Sequence, residues 1–280
     1  MTVLVFSNSG QVGLELAGRA GVTSLGRGMA DLTDPLQCAA KIIEIQPKVV
    51  VNAAAYTAVD RAEEEETLAQ VINGDAPGEM ARACARIGAV FLHISTDYVF
   101  DGRGNTPWQV DDETRPIGAY GRTKLNGEMA VASAGCTYAI LRTSWVFSPH
   151  GANFVKTMRR LGAERQELSI VADQIGGPTA ARDIADALMV MADKFQNGTG
   201  TSGMYHFSGA PDVSWADFAR EIFDQAGLAV EVTDILSEQY PTPAARPKNS
   251  RLYCGDILRD FGIKQPDWRQ SLRRVQERLA

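Results

Sequence analysis

A tyrosine and a lysine four positions apart, Tyr120 and Lys124, are the residues whose types and spacing best suit chemistry. Both side chains fall on one face if residues 117–134 form a helix. Reduction of a ketone by hydride needs a proton for the developing alkoxide, and a phenol with a pKa of ~10 is a slow acid at neutral pH. A neighbouring ammonium lowers that pKa because it favours the phenolate. The pair therefore indicates a reductase, although an exposed helix can carry the same spacing by chance.

Hydroxyl side chains precede this pair by about one loop. Ser95, Thr96 and Asp97 follow an apolar segment that reads as a strand. A hydroxyl at the end of that strand, from Thr96 or Ser95, can hydrogen-bond a substrate oxygen and share a proton path with Tyr120. The alternative is that both hydroxyls only cap the strand or the following turn.

A glycine-containing turn follows the first predicted strand and leads into a helix. Gly10 and Gly13 match the last two glycines of a G-x-x-G-x-x-G loop, whereas Ser7 stands at the first position. Such a turn lets backbone N–H groups, here those around Gln11 and Val12, approach a pyrophosphate near the positive end of the helix. By itself the turn is also compatible with a strand-to-helix connection that binds nothing.

The next two strand ends indicate which dinucleotide is bound. Arg27 follows the second strand, where an NAD-dependent enzyme commonly has an acid, and its guanidinium suits a 2′-phosphate. We therefore expect NADPH, with NADH possible, although many loop arginines contact only solvent. Asp31 and Leu32 are placed to face the adenine. The small side chains of Ala53 and Ala54, after the third strand, allow a cofactor to lie close to the sheet.

The elements that must position these residues alternate between β-branched segments and amphipathic ones. This alternation is typical of βαβ units. We predict strands at Val3–Phe6, Val22–Leu25, Lys48–Asn52, Ala89–Ser95 and Tyr138–Arg142. Helices are expected at Pro35–Ile45, Leu68–Arg86, Arg182–Lys194, Trp215–Gln225 and Asp267–Arg278. The predicted fold is α/β, a Rossmann-like, doubly wound parallel sheet.

Beyond about residue 147 the alternation weakens and turn clusters become frequent. We divide the chain into a dinucleotide-binding part, residues 1–147, and a smaller substrate-binding part, residues 148–280. The two are predicted to interleave, with segments near 167–180 and 204–208 returning to the sheet. Leu168–Val171 is expected to extend that sheet. The acidic cluster Glu63–Glu66 is interpreted as the solvated start of a helix.

Composition excludes several classes of protein. The 280 residues carry a net charge of −6, so nucleic acid is not an expected partner. The N-terminal residues lack the pattern of a secretory signal, and no apolar run approaches the ~20 residues of a membrane span. We therefore expect a cytoplasmic protein. The four cysteines lack C-x-x-C spacing and are interpreted as inert thiols.

Four further segments, taken with those above, carry a family resemblance. They are residues 52–60 (NAAAYTAVD), 142–147 (RTSWVF), 174–179 (QIGGPT) and 240–247 (YPTPAARP). From about residue 3 to residue 278 the chain resembles the dTDP-4-dehydrorhamnose reductase family. The resemblance implies reduction of the C4 keto group of dTDP-4-dehydro-L-rhamnose to dTDP-L-rhamnose, with NADPH or NADH as hydride donor.

The resemblance also implies roles for individual residues. Those carried over to the cofactor are Gly10, Gln11 and Val12 at the pyrophosphate, Asp31 and Leu32 at the adenine, and Ala53, Ala54 and Tyr56 at its middle. Those carried over to the chemistry are Tyr120 as proton donor, Lys124 as its partner, Thr96 to tune the tyrosine, and Thr96, Asp97 and Trp145 to touch the sugar nucleotide. Trp145 also fits a core aromatic residue after a strand. Ser7 departs from the usual first glycine.

Some members of that family dimerise through a magnesium ion held by glutamates. Here only Glu15 has a clear counterpart and Asp186 is a less secure one, so no metal is expected, and both monomer and homodimer stay open. Two other functions remain as alternatives. A non-catalytic nucleotide-binding regulatory subunit would not need Tyr120, Lys124 and Thr96. A nucleotide-sugar epimerase or dehydratase would retain its cofactor through each cycle.

Overall fold

A computed structural model describes residues 3–279 of the chain. The strands are β1 Val3–Phe6, β2 Val22–Leu25, β3 Val49–Asn52, β4 Val90–Thr96, β5 Tyr138–Thr143, β6 Val146–Phe147, β7 Glu167–Val171, β8 Ile175–Gly176, β9 Thr179–Ala180, β10 Gly203–His206, β11 Val213–Ser214, β12 Glu231–Ile235 and β13 Asn249–Ser250. The α-helices are α1 Gln11–Leu16, α2 Pro35–Ile45, α3 Val59–Ala62, α4 Glu66–Gln70, α5 Ala76–Ile87, α6 Ala119–Ala132, α7 Phe154–Glu164, α8 Ala181–Gln196, α9 Trp215–Ala226, α10 Gly255–Phe261 and α11 Trp268–Leu279.

The central sheet has six strands in the order β2-β1-β3-β4-β5-β10, and every neighbouring pair is parallel. This confirms the predicted Rossmann-like α/β fold. The chain leaves β1 toward β2 on one side and later returns to β3 on the other, so the direction of winding reverses between β1 and β3. Ligands of open parallel sheets bind at this reversal, beyond the carboxyl ends of the strands.

Helices cover both faces of the sheet because its inner strands are largely apolar. All four residues of β1, Val-Leu-Val-Phe, are buried, as expected for a parallel sheet covered on both faces. One core joins the sheet to α1 and α8. The other joins it to α2 and α5. In α2 the start is fixed by Asp34, whose side chain accepts a hydrogen bond from the Gln37 N–H, and by Pro35 at the first helical position.

A third core, built from α7, α9 and α11, underlies the C-terminal part of the chain. The prediction that residues 167–180 return to the main sheet is wrong. Strand β7 pairs with β12, β8 pairs with β11 and β13, and β9 pairs with β6. The physical reason is visible in β7, where Glu167 and Ser169 face solvent and Leu168 is buried. A strand with one polar face suits a small outer sheet rather than one covered on both sides.

The other predicted return is correct, since β10 pairs with β5 at the edge of the main sheet. The helix predicted at Leu68–Arg86 is α4 and α5 joined by a π-helical segment, Val71–Asp75. Helix α7 was not predicted, although Asn153 caps it by accepting from the Lys156 N–H. Among the helices between residues 3 and 279, none is both long and apolar enough to cross a bilayer.

Candidate active site

A cleft of about 750 Å³ opens at the carboxyl ends of the central strands. It gathers nearly all the residues that the sequence singled out. Those that line it are Gly10, Gln11, Val12, Arg27, Asp31, Leu32, Ala53, Ala54, Tyr56, Thr96, Asp97, Tyr120, Lys124 and Trp145. Gly13 is the exception, because it is buried behind the turn and does not line the cleft.

The turn after β1 accommodates a serine where a glycine was expected. Ser7 has a φ of 143°, a conformation that favours glycine. Its hydroxyl accepts a hydrogen bond from the Gly10 N–H at 3.3 Å. A Cβ on Gly13 would lie 2.3 Å from the Ser7 Oγ. The serine side chain thus fills space that glycine at position 13 leaves free. The tight turn therefore forms with serine, and not glycine, at the first position of the motif.

Arg27 stands at the open rim of the cleft. Its side chain is 79% exposed, and its Nε lies 3.6 Å from Asp31 Oδ2. Asp31 is itself held by the Thr33 N–H, and that backbone hydrogen bond is the chief cause that lowers the pKa of its carboxyl. An exposed guanidinium with one weak ion pair can turn toward an incoming phosphate.

Tyr56, at the middle of the cleft, is fixed by contacts that the sequence did not reveal. Its backbone N–H donates to Asn73 Oδ1 at 2.8 Å, and its hydroxyl donates to Glu65. Asn73 is buried in the π-helical segment and also donates to Thr123 Oγ1 at 3.2 Å. Because Thr123 belongs to α6, Asn73 connects the segment that lines the cofactor side to the helix that carries Tyr120. The π-helical segment is the feature that points to Asn73, because such segments are frequent at functional sites. It cannot be recognised from the sequence.

The start of α6 is capped from the acidic cluster. Glu63 Oε1 accepts a hydrogen bond from the Ala119 N–H at 2.8 Å, one residue before Tyr120. A Cβ on Gly118 would lie 2.8 Å from that oxygen, so a side chain at this position would displace the Glu63 carboxylate. Glu66 binds Arg122 of the same helix through both carboxylate oxygens. The interpretation of this cluster as a solvated helix start was therefore incomplete, since two of its members hold α6 in place.

Tyr120 lies half-buried in the cleft. Its removal from bulk water raises the pKa of the phenol to about 12, a hydrogen bond with the Thr96 side chain lowers it, and the nearby Asp97 raises it. The edge of the Tyr98 ring packs against the Tyr120 ring, with centroids 5.5 Å apart. Burial therefore favours the protonated phenol, which is the form that a proton donor requires.

Lys124 is buried beneath Tyr120 and makes different contacts from those its spacing suggested. Its Nζ donates to the Ile94 carbonyl oxygen at 2.7 Å and lies 3.2 Å from His93 Nε2. Burial lowers the pKa of Lys124 to about 8, against a smaller opposing effect of Glu128. The lowering of the Tyr120 pKa by this lysine stays a prediction.

Unpaired polar atoms mark the part of the cleft beyond β4 and β5. Ser95 Oγ, Asp97 Oδ2 and Thr143 Oγ1 are buried and have no hydrogen-bond partner among residues 3–279. Asp97 Oδ1 accepts from the Thr96 hydroxyl at 3.1 Å, and burial raises the pKa of Asp97 to about 6. Buried polar groups are normally paired. These three atoms make this end of the cleft a candidate site for a polar ligand.

Trp145 borders the same region in an uncommon backbone conformation, with a φ of 50°. Its indole stacks on that of Trp215, with ring centroids 3.6 Å apart and planes 10° from parallel. Trp215 is fixed in turn by its Nε1–H, which donates to Gln174 Oε1 at 3.2 Å. A positive φ in a bulky residue is typical of functional sites. Trp145 thus presents a rigid flat wall to the cleft.

Two residues considered for metal binding are engaged by cations of the chain itself. Glu15 Oε1 accepts from His150 Nε2 at 2.9 Å and from Arg278 at 2.7 Å. Asp186 pairs with Arg19 at 2.7 Å. No group of three or more His, Cys, Asp and Glu side chains is arranged as a metal site within residues 3–279.

Comparison with known proteins gives consistent matches over the whole chain. A family model described as the RmlD substrate binding domain matches residues 1–280. Proteins named dTDP-4-dehydrorhamnose reductase from Sinorhizobium fredii and Burkholderia thailandensis are 44% and 46% identical to it. The first alignment covers 98% of this chain and 96% of the relative, and the second covers 97% of each. A crystal structure of dTDP-4-dehydrorhamnose reductase from Bacillus anthracis in complex with NADP has a TM-score of 0.92 and 36% identity, covering 99% of this chain and 100% of its own.

Proposed function

The chain belongs to the dTDP-4-dehydrorhamnose reductase family, and from that premise we propose how its own residues carry out the reaction. It is an NAD(P)H-dependent oxidoreductase that reduces the C4 keto group of dTDP-4-dehydro-L-rhamnose to give dTDP-L-rhamnose. Hydrogen is added to C4 as hydride, and the carbonyl oxygen takes up a proton. The chain must therefore orient two ligands and supply that proton.

The residues of the turn and the two following strand ends fit a dinucleotide. The turn around Gly10 lines the cleft, Ala53 and Ala54 place only small side chains at the end of β3, and Arg27 lies exposed at the rim. Gln11 and Val12 would lie at the pyrophosphate, Asp31 and Leu32 at the adenine, and Tyr56 at the middle. NADPH supplies the hydride when bound.

Tyr120 is the proton donor in this proposal. Its phenol lies in the cleft, burial favours its protonated form, and the Thr96 side chain opposes that effect. When the O–H bond of Tyr120 breaks, the proton passes to the substrate oxygen and a phenolate remains. Thr96 stabilises that phenolate by hydrogen bonding, and the nearby Lys124 favours it when charged.

The sugar nucleotide is proposed to bind between Trp145 and the unpaired polar atoms beyond β4 and β5. Asp97 Oδ2, Ser95 Oγ and Thr143 Oγ1 are the acceptors and donors available to sugar hydroxyls. The Trp145 indole offers an apolar wall for the flat face of a sugar or base. Asp97, Thr96 and Trp145 are therefore the residues proposed to orient the C4 carbonyl toward Tyr120.

The observation that carries this proposal is the convergence of Tyr120, Thr96 and Lys124 in the cleft lined by the glycine turn. The direct test is NADPH oxidation with dTDP-4-dehydro-L-rhamnose made in situ, followed by mass analysis of the product. We expect oxidation that depends on the keto sugar and a product that has gained two hydrogens. dTDP-glucose, which has no keto group, is the matched control, and oxidation that proceeds equally with it would contradict the proposal.

A further inference from the structure

A buried line of polar side chains runs from the main sheet to Lys124, under the floor of the cleft. Asn52 and His93 are directly paired residues on the neighbouring strands β3 and β4, and both are fully buried. Asn52 Nδ2 lies 3.2 Å from His93 Nδ1, and His93 Nε2 lies 3.2 Å from Lys124 Nζ. Polar groups so deeply buried between apolar strands need a reason, because each must find a partner.

The direction of these hydrogen bonds follows from one backbone group. The Ala54 N–H donates to Asn52 Oδ1 at 3.2 Å, which fixes the amide so that Nδ2 faces His93. An amide nitrogen only donates, so His93 Nδ1 must accept. A neutral imidazole with an acceptor at Nδ1 carries its proton on Nε2. That N–H points at Lys124 Nζ, and only an uncharged amine has a lone pair to receive it.

The charged and uncharged forms of Lys124 therefore require opposite tautomers of His93. An ammonium would need Nε2 as acceptor and a proton on Nδ1, facing the donor hydrogens of Asn52. Protonation of the ring itself is opposed, since burial holds the pKa of His93 well below its usual range. Burial also lowers the pKa of Lys124 to about 8, against a smaller opposing effect of Glu128.

Other titratable groups face Lys124 from the elements packed around it. Glu128 follows it by one turn on α6 and is neutralised by Arg142 of β5 through two hydrogen bonds, at 2.9 and 2.7 Å. Tyr120 precedes it by one turn, and Asp97 lies beside Tyr120. These groups act on Lys124 through charge, whereas His93 is the side chain that contacts Nζ directly.

We propose that Asn52 and His93 are positioning residues for Lys124, which fix its Nζ in the site and favour its uncharged form through the tautomer of His93. The Ile94 carbonyl oxygen completes the arrangement by accepting a hydrogen bond from the same nitrogen. The relay makes the charge of Lys124 depend on Asn52, a residue 72 positions away in the sequence. The catalytic part of this inference rests on the proposed function, whereas the tautomer does not.

The tautomer can be measured directly in the folded, ligand-free protein. Long-range ¹H–¹⁵N correlation spectra distinguish protonated from unprotonated ring nitrogens, and the chain has three histidines to assign, His93, His150 and His206. The His93→Gln variant identifies the His93 signals by their loss. At neutral pH we expect His93 to carry its proton on Nε2. A proton on Nδ1, or a doubly protonated ring, would overturn the proposal whether or not the enzyme reduces its expected substrate.

A variant then tests the link to Lys124. In Asn52→Leu the amide no longer opposes the Nδ1–H tautomer, so the ammonium gains the Nε2 acceptor. Loss of this hydrogen-bond preference should raise the pKa of Lys124. The alkaline limb of the pH profile of kcat, measured at saturating NADPH, should therefore move up by roughly 0.5–1 pH unit. Asn197→Leu, the same substitution at an exposed residue after α8, should leave the limb in place. An unshifted limb in Asn52→Leu overturns the proposal, and if that variant does not fold, the tautomer measurement decides alone.

Discussion

The Nζ of Lys124 lies 2.7 Å from the carbonyl oxygen of Ile94. This hydrogen bond fastens the lysine to β4, the strand that ends at Thr96, rather than to the phenol of Tyr120. The pKa of the phenol is raised by burial and lowered by the Thr96 side chain. The spacing of Tyr120 and Lys124 brings both residues to the cleft.

Thr96 should contribute to the rate through its hydroxyl. We expect Thr96→Val to lower kcat by about one order of magnitude, the value of one hydrogen bond to a developing phenolate. Thr96→Ser keeps the hydroxyl and should retain most of the activity. The comparison is made by steady-state NADPH oxidation. Equal losses in the two variants would show that the methyl group, and not the hydroxyl, matters.

Glu63 should matter through the start of α6. Removal of its carboxylate in Glu63→Ala leaves the Ala119 N–H uncapped, and we expect a loss of about 1 kcal/mol in the free energy of unfolding. Because Tyr120 is the next residue, kcat should fall as well. Glu63→Gln retains an acceptor oxygen and is the matched control. Urea unfolding and NADPH oxidation check both effects, and an alanine variant indistinguishable from the glutamine variant would refute this role.

Arg27 should decide between the two dinucleotides. A charge-assisted hydrogen bond to the 2′-phosphate predicts that Arg27→Ala raises KM for NADPH by about tenfold. The KM for NADH should stay the same, because NADH has no phosphate at that position. Arg103→Ala, at another exposed arginine paired with an aspartate, is the control. A parallel rise for both cofactors would mean that Arg27 supports the loop rather than the phosphate.

Asp97 should make stability depend on pH. Burial raises its pKa from 3.8 to about 6 in the folded protein, so ionisation costs stability as pH rises through that window and the cost is absent below it. Relative to the native chain, Asp97→Asn should therefore gain about 2–3 kcal/mol between about pH 4 and pH 7. Urea unfolding at the two pH values measures this. Asp224→Asn, on an exposed face of α9, is the control and should show no such gain. If Asp97→Asn also gained no stability between the two pH values, the buried ionisation would be refuted.

Much of the fold was predictable because the inner strands of this parallel sheet are mostly apolar and the intervening helices are amphipathic. Val3–Phe6 and Val22–Leu25 were predicted with their observed bounds. Leu168–Val171 was misplaced because an apolar segment does not reveal which sheet it joins. Its polar neighbour Glu167, exposed in β7, was the residue that favoured an outer strand.

The site could be predicted where a local motif carries the chemistry, as at Tyr120, Thr96 and the glycine turn. It could not be predicted where distant segments meet. Glu63 caps α6 across 56 positions, Asn73 reaches Thr123 across 50, and His93 reaches Lys124 across 31. Each of these contacts depends on how helices pack against the sheet, which no local spacing encodes.

The most direct test of the central claim, that Tyr120 supplies the proton, is kcat for dTDP-4-dehydro-L-rhamnose reduction in Tyr120→Phe. Loss of a general acid predicts a fall of about 10²- to 10⁴-fold, with NADPH affinity nearly unchanged. Tyr138→Phe is the control, because Tyr138 lies at the start of β5, at the end away from the cleft. It should retain native activity. A Tyr120→Phe enzyme that turns over at the native rate would contradict the account.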